Sequence, residues 1–108
     1  MDPWRYFPDY DDLANASDEV QEERYQEALR RLRIYRSRTT VYRMTSLEVA
    51  PVMRDASMDF VYLDARHDTP SVRADLEAWA PKVRLGGMLC GHDYLDGDRA
   101  GMTFGVRT

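Results

Sequence analysis

The chain has 108 residues, of which 44% are hydrophobic and 31% charged, with a formal net charge of -4. That balance belongs to one globular domain rather than a disordered chain, and its acidity excludes the basic face that nucleic acid requires. A single cysteine, Cys90, excludes an internal disulfide and a zinc cluster, and no apolar run is long enough for a membrane span, so a cytoplasmic protein is expected.

Residues 1–16, aromatic and acidic with Pro3 and Pro8, predict an ordered loop. A helix is expected from Ser17 or Asp18 to Tyr35. Ser17 stands as N-cap, acids fill the first turns and Arg30, Arg31 and Arg33 the last, which complements the helix dipole. Tyr25, Ala28, Leu29 and Leu32 recur at helical spacing and form its apolar face. Thr39–Arg43 is β-branched and aromatic, hence a short strand, and Ser46 then caps a short helix over Leu47–Met53. Met58–Leu63 is almost continuously apolar, the pattern of a parallel strand buried on both faces. Thr69-Pro70 opens an amphipathic helix to Lys82, with Val72, Leu76, Trp79 and Val83 on one face. Leu85-Gly86-Gly87 reads as a turn, Met88–Gly91 as a third strand, and Leu95–Thr108 as a loop.

Helices alternating with strands imply an α/β fold with a parallel sheet. In such sheets chemistry gathers beyond the carboxyl ends of the strands. Asp64 stands at one such end, followed by His67, and His92-Asp93 stands at another. If the two strands are neighbours, these carboxylates and imidazoles converge. They can then bind a divalent cation or serve as general base and orienting acid. The structural alternative is that Asp64 caps the following turn and His92 satisfies local backbone groups.

The segment Asp59–His67 resembles the strand-four motif of class I S-adenosylmethionine-dependent methyltransferases, in the branch whose signature reads DFVxIDAxH, then DLxxWxPKL, then xPGGxxxGHDY. The second motif is similar to Asp75–Val83, the third to Arg84–Tyr94, and Phe104-Gly105-Val106 matches an FGV that follows. The resemblance implies a partial Rossmann-like three-layer fold over residues 1–108, a single partial domain with a short parallel sheet of about three strands flanked by helices. It implies S-adenosylmethionine as cofactor and transfer of a methyl group to an oxygen or nitrogen of a small molecule. By the same resemblance Asp2 accepts from the cofactor ribose, Met44, Thr45 and Ser46 lie along the adenine, and Asp64 faces the transfer site. Metal-dependent relatives hold Mg²⁺ with the equivalent carboxylate and an acidic pair after strand five. Here Asp64, His92 and Asp93 would be the ligands, with a histidine replacing one acid. Without a metal, His67 or His92 is the base.

The glycine-rich turn that cradles the cofactor in this family has no counterpart in the sequence. The resemblance therefore implies a truncated form, and it leaves the Met58–Leu63 strand with an open edge. The alternative function is a non-catalytic remnant or interaction module. Three outcomes are open for that edge: the chain is a fragment of a longer methyltransferase, a second copy or a partner chain covers the edge, or the three strands pair directly; neither nucleic acid nor membrane is expected as a partner.

Overall fold

The computed structural model describes residues 1–92 and the backbone of residues 97–99 and 102–104. It divides into two compact units, Met1–Thr45 and Ser46–Thr108. In the first unit, helix α1 runs from Asp18 to Leu32 and places Asp18 and Glu19 in its first turn and Arg30 and Arg31 in its last, as the charge pattern predicts. The Arg33 N–H bonds to the Arg30 carbonyl, a tightened turn, and the chain continues as a 3₁₀ helix over Arg33–Arg38 instead of as α-helix to Tyr35. Ser17 is the N-cap residue, yet its side chain makes no capping bond; its hydroxyl goes to Glu19 and holds that carboxyl below its ordinary value.

The apolar stripe of α1 is only half-buried. Its one buried residue is Gln21, whose amide donates to the Ala14 carbonyl at 2.9 Å. The loop of residues 1–16 is ordered by side-chain brackets. Asn15 Oδ1 accepts the Phe7 N–H at 2.9 Å, and Asn15 Nδ2 donates to the carbonyls of Phe7 and Tyr10. The strand expected over Thr39–Arg43 does not form. A strand needs a ladder, and this segment has a single cross-chain backbone bond among the described residues, from the Asp2 N–H to the Tyr42 carbonyl at 3.1 Å.

In the second unit, α2 (Ser46–Val49) passes into a 3₁₀ turn over Ala50–Val52. Strand β1 follows at Met58–Leu63, then α3 at Thr69–Trp79, a 3₁₀ turn at Ala80–Lys82, and β2 at Val83–Gly91. β1 and β2 pair in parallel, from Phe60 opposite Met88 to Leu63 opposite Gly91. The parallel sheet described thus has two strands, not about three. β2 starts earlier than expected because the Leu85–Gly87 turn is absorbed as a bulge between Val83, opposite Met58, and Met88. Gly86 sits at φ 78°, and a Cβ on Gly87 would lie 2.9 Å from the Asp59 carbonyl, so both bulge positions call for glycine.

Val49, Ala50, Val61 and Trp79 are the buried apolar residues of this unit among the described residues. The expectation that β1 is buried on both faces is corrected: Val61 is 6% exposed, but Phe60 is 55% and Tyr62 48% exposed. A sheet of two strands has too little width to sandwich its central residues. The tail expected to be a loop contains a hairpin, β3 (Gly97–Arg99) antiparallel to β4 (Met102–Phe104). No helix among the described residues is long and apolar enough to cross a membrane.

Candidate functional site

Because β1 and β2 are parallel neighbours with Leu63 opposite Gly91, the residues that follow leave the sheet at the same end. Asp64 follows β1 and His92 follows β2. The His92 N–H donates to the Leu63 carbonyl at 3.2 Å and carries the ladder one step past β2. Gly91 permits this close approach, since a Cβ there would come 3.2 Å from the same carbonyl oxygen. His67 Nε2 lies 3.9 Å from Asp64 Oδ1, and His92 Nδ1 lies 4.0 Å from that same oxygen. Three of the predicted residues, Asp64, His67 and His92, are therefore gathered on one rim.

The distances matter. They are too long for direct hydrogen bonds and short enough for an ion pair when an imidazole is protonated. A hydroxyl oxygen or amine nitrogen set ~2.8 Å from both the carboxylate and one imidazole would close the triangle. The His67 side chain is 16% exposed, while those of Asp64 and His92 are about half exposed at 50% and 55%. A ligand therefore has access to Asp64 and His92, with His67 sheltered behind.

His67 is flanked by a bracket that sequence reasoning missed. Arg66 Nε donates to Asp68 Oδ2 at 2.9 Å, and Asp68 Oδ1 accepts the Ser71 N–H at 3.1 Å. Asp68 is the N-cap of α3, because its carboxylate is long enough to reach the N–H of Ser71, the third helical residue, while holding Arg66. Burial pushes the Asp68 carboxyl up, but the Ser71 hydroxyl and N–H and the Arg66 guanidinium outweigh it, and the net shift is downward. The signal in the sequence was an aspartate three residues before Ser71, obscured by the adjacent Thr-Pro pair.

The Ser46 hydroxyl donates to Asp75 Oδ1, a carboxylate only 5% exposed. Burial pushes the Asp75 carboxyl up, against the Ser46 bond, and the nearby Asp68 charge adds to the rise. The hydroxyl hydrogen of Ser46 is thus committed within its own unit, which leaves only its lone pairs for a ligand. Asp2, Met44 and Thr45 belong to the first unit. Asp2 is exposed, and its Oδ1 accepts the Trp4 N–H at 2.7 Å. Trp4 is held at φ 42°, left-handed and strained for so bulky a residue. Its carbonyl accepts from Arg43 Nη2 at 3.3 Å and its ring packs on Tyr25, centroids 4.9 Å apart. Met44 and Thr45 are half-buried.

For the metal expectation, Asp64 and His92 share the rim and Asp93 lies outside the described residues. Among the described residues no group of three or more His, Cys, Asp or Glu side chains could hold a metal ion.

Parallel strands joined by a helix, with acid and imidazole over their carboxyl ends, define an α/β protein with a candidate site at the sheet rim. A family model described as a methyltransferase domain matches residues 1–94, across both units, and the chain belongs to that family. No curated protein and no solved structure matches it. Membership implies S-adenosylmethionine as the methyl donor.

Proposed function

We propose that the protein transfers a methyl group from S-adenosylmethionine to an oxygen or nitrogen of a small molecule at the Asp64 rim. The observation that carries this reading is one carboxylate oxygen of Asp64 standing about 4 Å from both His67 Nε2 and His92 Nδ1. S-adenosylmethionine supplies an electrophilic methyl on sulfonium, and leaves as the uncharged thioether. The acceptor must lose its proton as its bond to carbon forms. A neutral imidazole is well matched to that task near pH 7, and His67 or His92 takes the proton while Asp64 orients the acceptor and stabilises the imidazolium.

Asp2 suits a ribose diol, because its carboxylate is exposed and fixed by the Trp4 N–H. Met44 offers soft apolar contact to an adenine ring, and Thr45 and the lone pairs of Ser46 add polar contact beside it. These residues support the methyl-donor reading through their side-chain chemistry, each within its own unit.

Isothermal titration with S-adenosylmethionine and S-adenosylhomocysteine tests the proposal. Saturable heat with both ligands is expected. Asp64→Ala is expected to keep the wild-type unfolding midpoint and to weaken affinity by about tenfold or more. No heat at millimolar ligand overturns the reading and leaves the interaction-module alternative, which the exposed Phe60 and Tyr62 favour. Unfolding of Asp64→Ala would assign Asp64 to turn capping instead.

A further inference from the structure

We infer that Asp75 sets the specificity for the methyl donor: by holding the one hydrogen of the Ser46 hydroxyl, it makes that hydroxyl an obligate acceptor, which selects a 6-amino purine over a 6-oxo purine. The inference rests on the methyl-donor reading proposed above and deepens it. Asp75 acts through Ser46 and is a positioning residue.

Both residues lie in one unit. Asp75 stands on α3, and Trp79 follows one helical turn later on the same face. α2 packs on α3 and brings the Ser46 hydroxyl to Asp75 Oδ1. The surroundings are closed: Asp75 is 5% and Trp79 4% exposed, and Val49 and Ala50, which follow Ser46, are 1% and 3% exposed. Water therefore has little room to replace the serine as donor. An enclosed carboxylate that loses its donor is left as an uncompensated charge, one of the costliest defects in a protein interior. The Ser46 hydroxyl is thereby tied to Asp75 and does not swing away to serve a ligand. Ser46 itself is half-buried, so its oxygen is not enclosed as the carboxylate is.

A hydroxyl has one hydrogen and two lone pairs. With the hydrogen committed to Asp75, the lone pairs of Ser46 can meet only a donor. Adenine joined to a ribose carries one N–H donor group, the 6-amino group, and its remaining ring nitrogens are acceptors. An acceptor-only hydroxyl beside that ring therefore bonds it at the 6-amino group. Hypoxanthine puts a carbonyl oxygen at that position, so lone pair faces lone pair. An untethered serine would not tell the two apart, because its hydroxyl rotates to suit either group.

Isothermal titration of the full chain with S-adenosylhomocysteine and with S-inosylhomocysteine, its 6-oxo analogue, tests the inference. The native chain should prefer the amino ligand by about tenfold or more, the effect of one unsatisfied polar contact. Asp75→Leu removes the buried charge and frees the hydroxyl. The preference should then fall to about twofold or less, with S-adenosylhomocysteine still binding. A merely structural role for Asp75 would weaken both ligands alike and leave their ratio unchanged, and that result overturns the inference. If circular dichroism shows that Asp75→Leu does not fold, Ser46→Ala decides. It should weaken the amino ligand by about tenfold and leave the oxo ligand unchanged, whereas equal losses overturn the inference. Equal affinities in the native chain overturn it too and leave the methyl-donor reading standing. No heat with either ligand overturns that reading, and the inference with it.

Discussion

The two units hold themselves together by different means. In Met1–Thr45 the only buried residue is a glutamine, and order comes from side chains gripping the backbone. Asn15 brackets Phe7 and Tyr10, Asp18 accepts the Tyr6 N–H, and Gln21 and Arg24 donate to the Ala14 carbonyl. Arg43 lies over the Tyr25 ring at 4.4 Å and pairs with Glu22 at 2.7 Å. In Ser46–Thr108 stability comes from a small apolar core around Trp79 and from the β1–β2 ladder, with one buried acid among the described residues, Asp75. The first strategy needs few apolar residues and exact polar geometry. The second tolerates loose polar geometry and depends on volume.

That contrast can be broken most severely at Trp79. Trp79→Ala is expected to cost ~3–5 kcal/mol in urea unfolding followed by near-ultraviolet circular dichroism, because it empties the core. Trp79→Phe should cost much less, since the indole Nε1 is buried without a hydrogen-bond partner and its loss removes an unsatisfied donor. Equal losses from the two variants would show that the indole edge, not volume, matters. In the first unit the matching change is Asn15→Ala. It removes three side-chain hydrogen bonds to the backbone, worth ~1 kcal/mol each, and should appear as faster proteolysis within residues 1–16 at an unchanged α3 signal in hydrogen exchange.

A smaller effect separates two acids of the second unit, Asp75 and Asp68, by pH. Asp75 has a raised folded-state pKa, so its contribution to stability is present below the ordinary carboxylate value, ~3.9, and is lost as pH rises through the folded value. Asp68 has a lowered one, so its contribution is present above that value and lost as pH falls through its folded value. The stability difference between Asp75→Asn and the native chain should therefore favour the variant more at pH 7 than at pH 4. The corresponding difference for Asp68→Asn should disfavour the variant more at pH 7. Urea midpoints at the two pH values read both, and a pH-independent difference at Asp75 would place its charge in water. The smallest effect is expected from Glu27→Gln on α1, which loses surface pairs to Arg30 and Arg31 worth ~0.2–0.5 kcal/mol and visible only at low salt.

Sequence periodicity and end signals were enough to locate α1, β1 and α3, because charge order, apolar runs and helical spacing are local properties. They were also enough to place Asp64 and His92 at strand ends, since β1 and β2 end where their apolar runs end. The same local reading erred at Thr39–Arg43, whose β-propensity is real but finds no ladder among the described residues, and at Leu85–Gly87, whose turn-like glycines serve a bulge inside β2. It also missed Asp68 and Asp75, whose roles depend on Arg66 and Ser71 in one case and on Ser46, far away in sequence, in the other.

The amino-acid order alone determined that this is an alternating helix–strand chain with acid and imidazole side chains at strand termini. Only the tertiary structure decided that two of those termini are parallel neighbours, that His67 and His92 close on one oxygen of Asp64, and that β1 keeps an open aromatic face. The physical reason is that propensity and spacing act over a few residues, whereas strand pairing and burial depend on which distant segment supplies the other half of each contact.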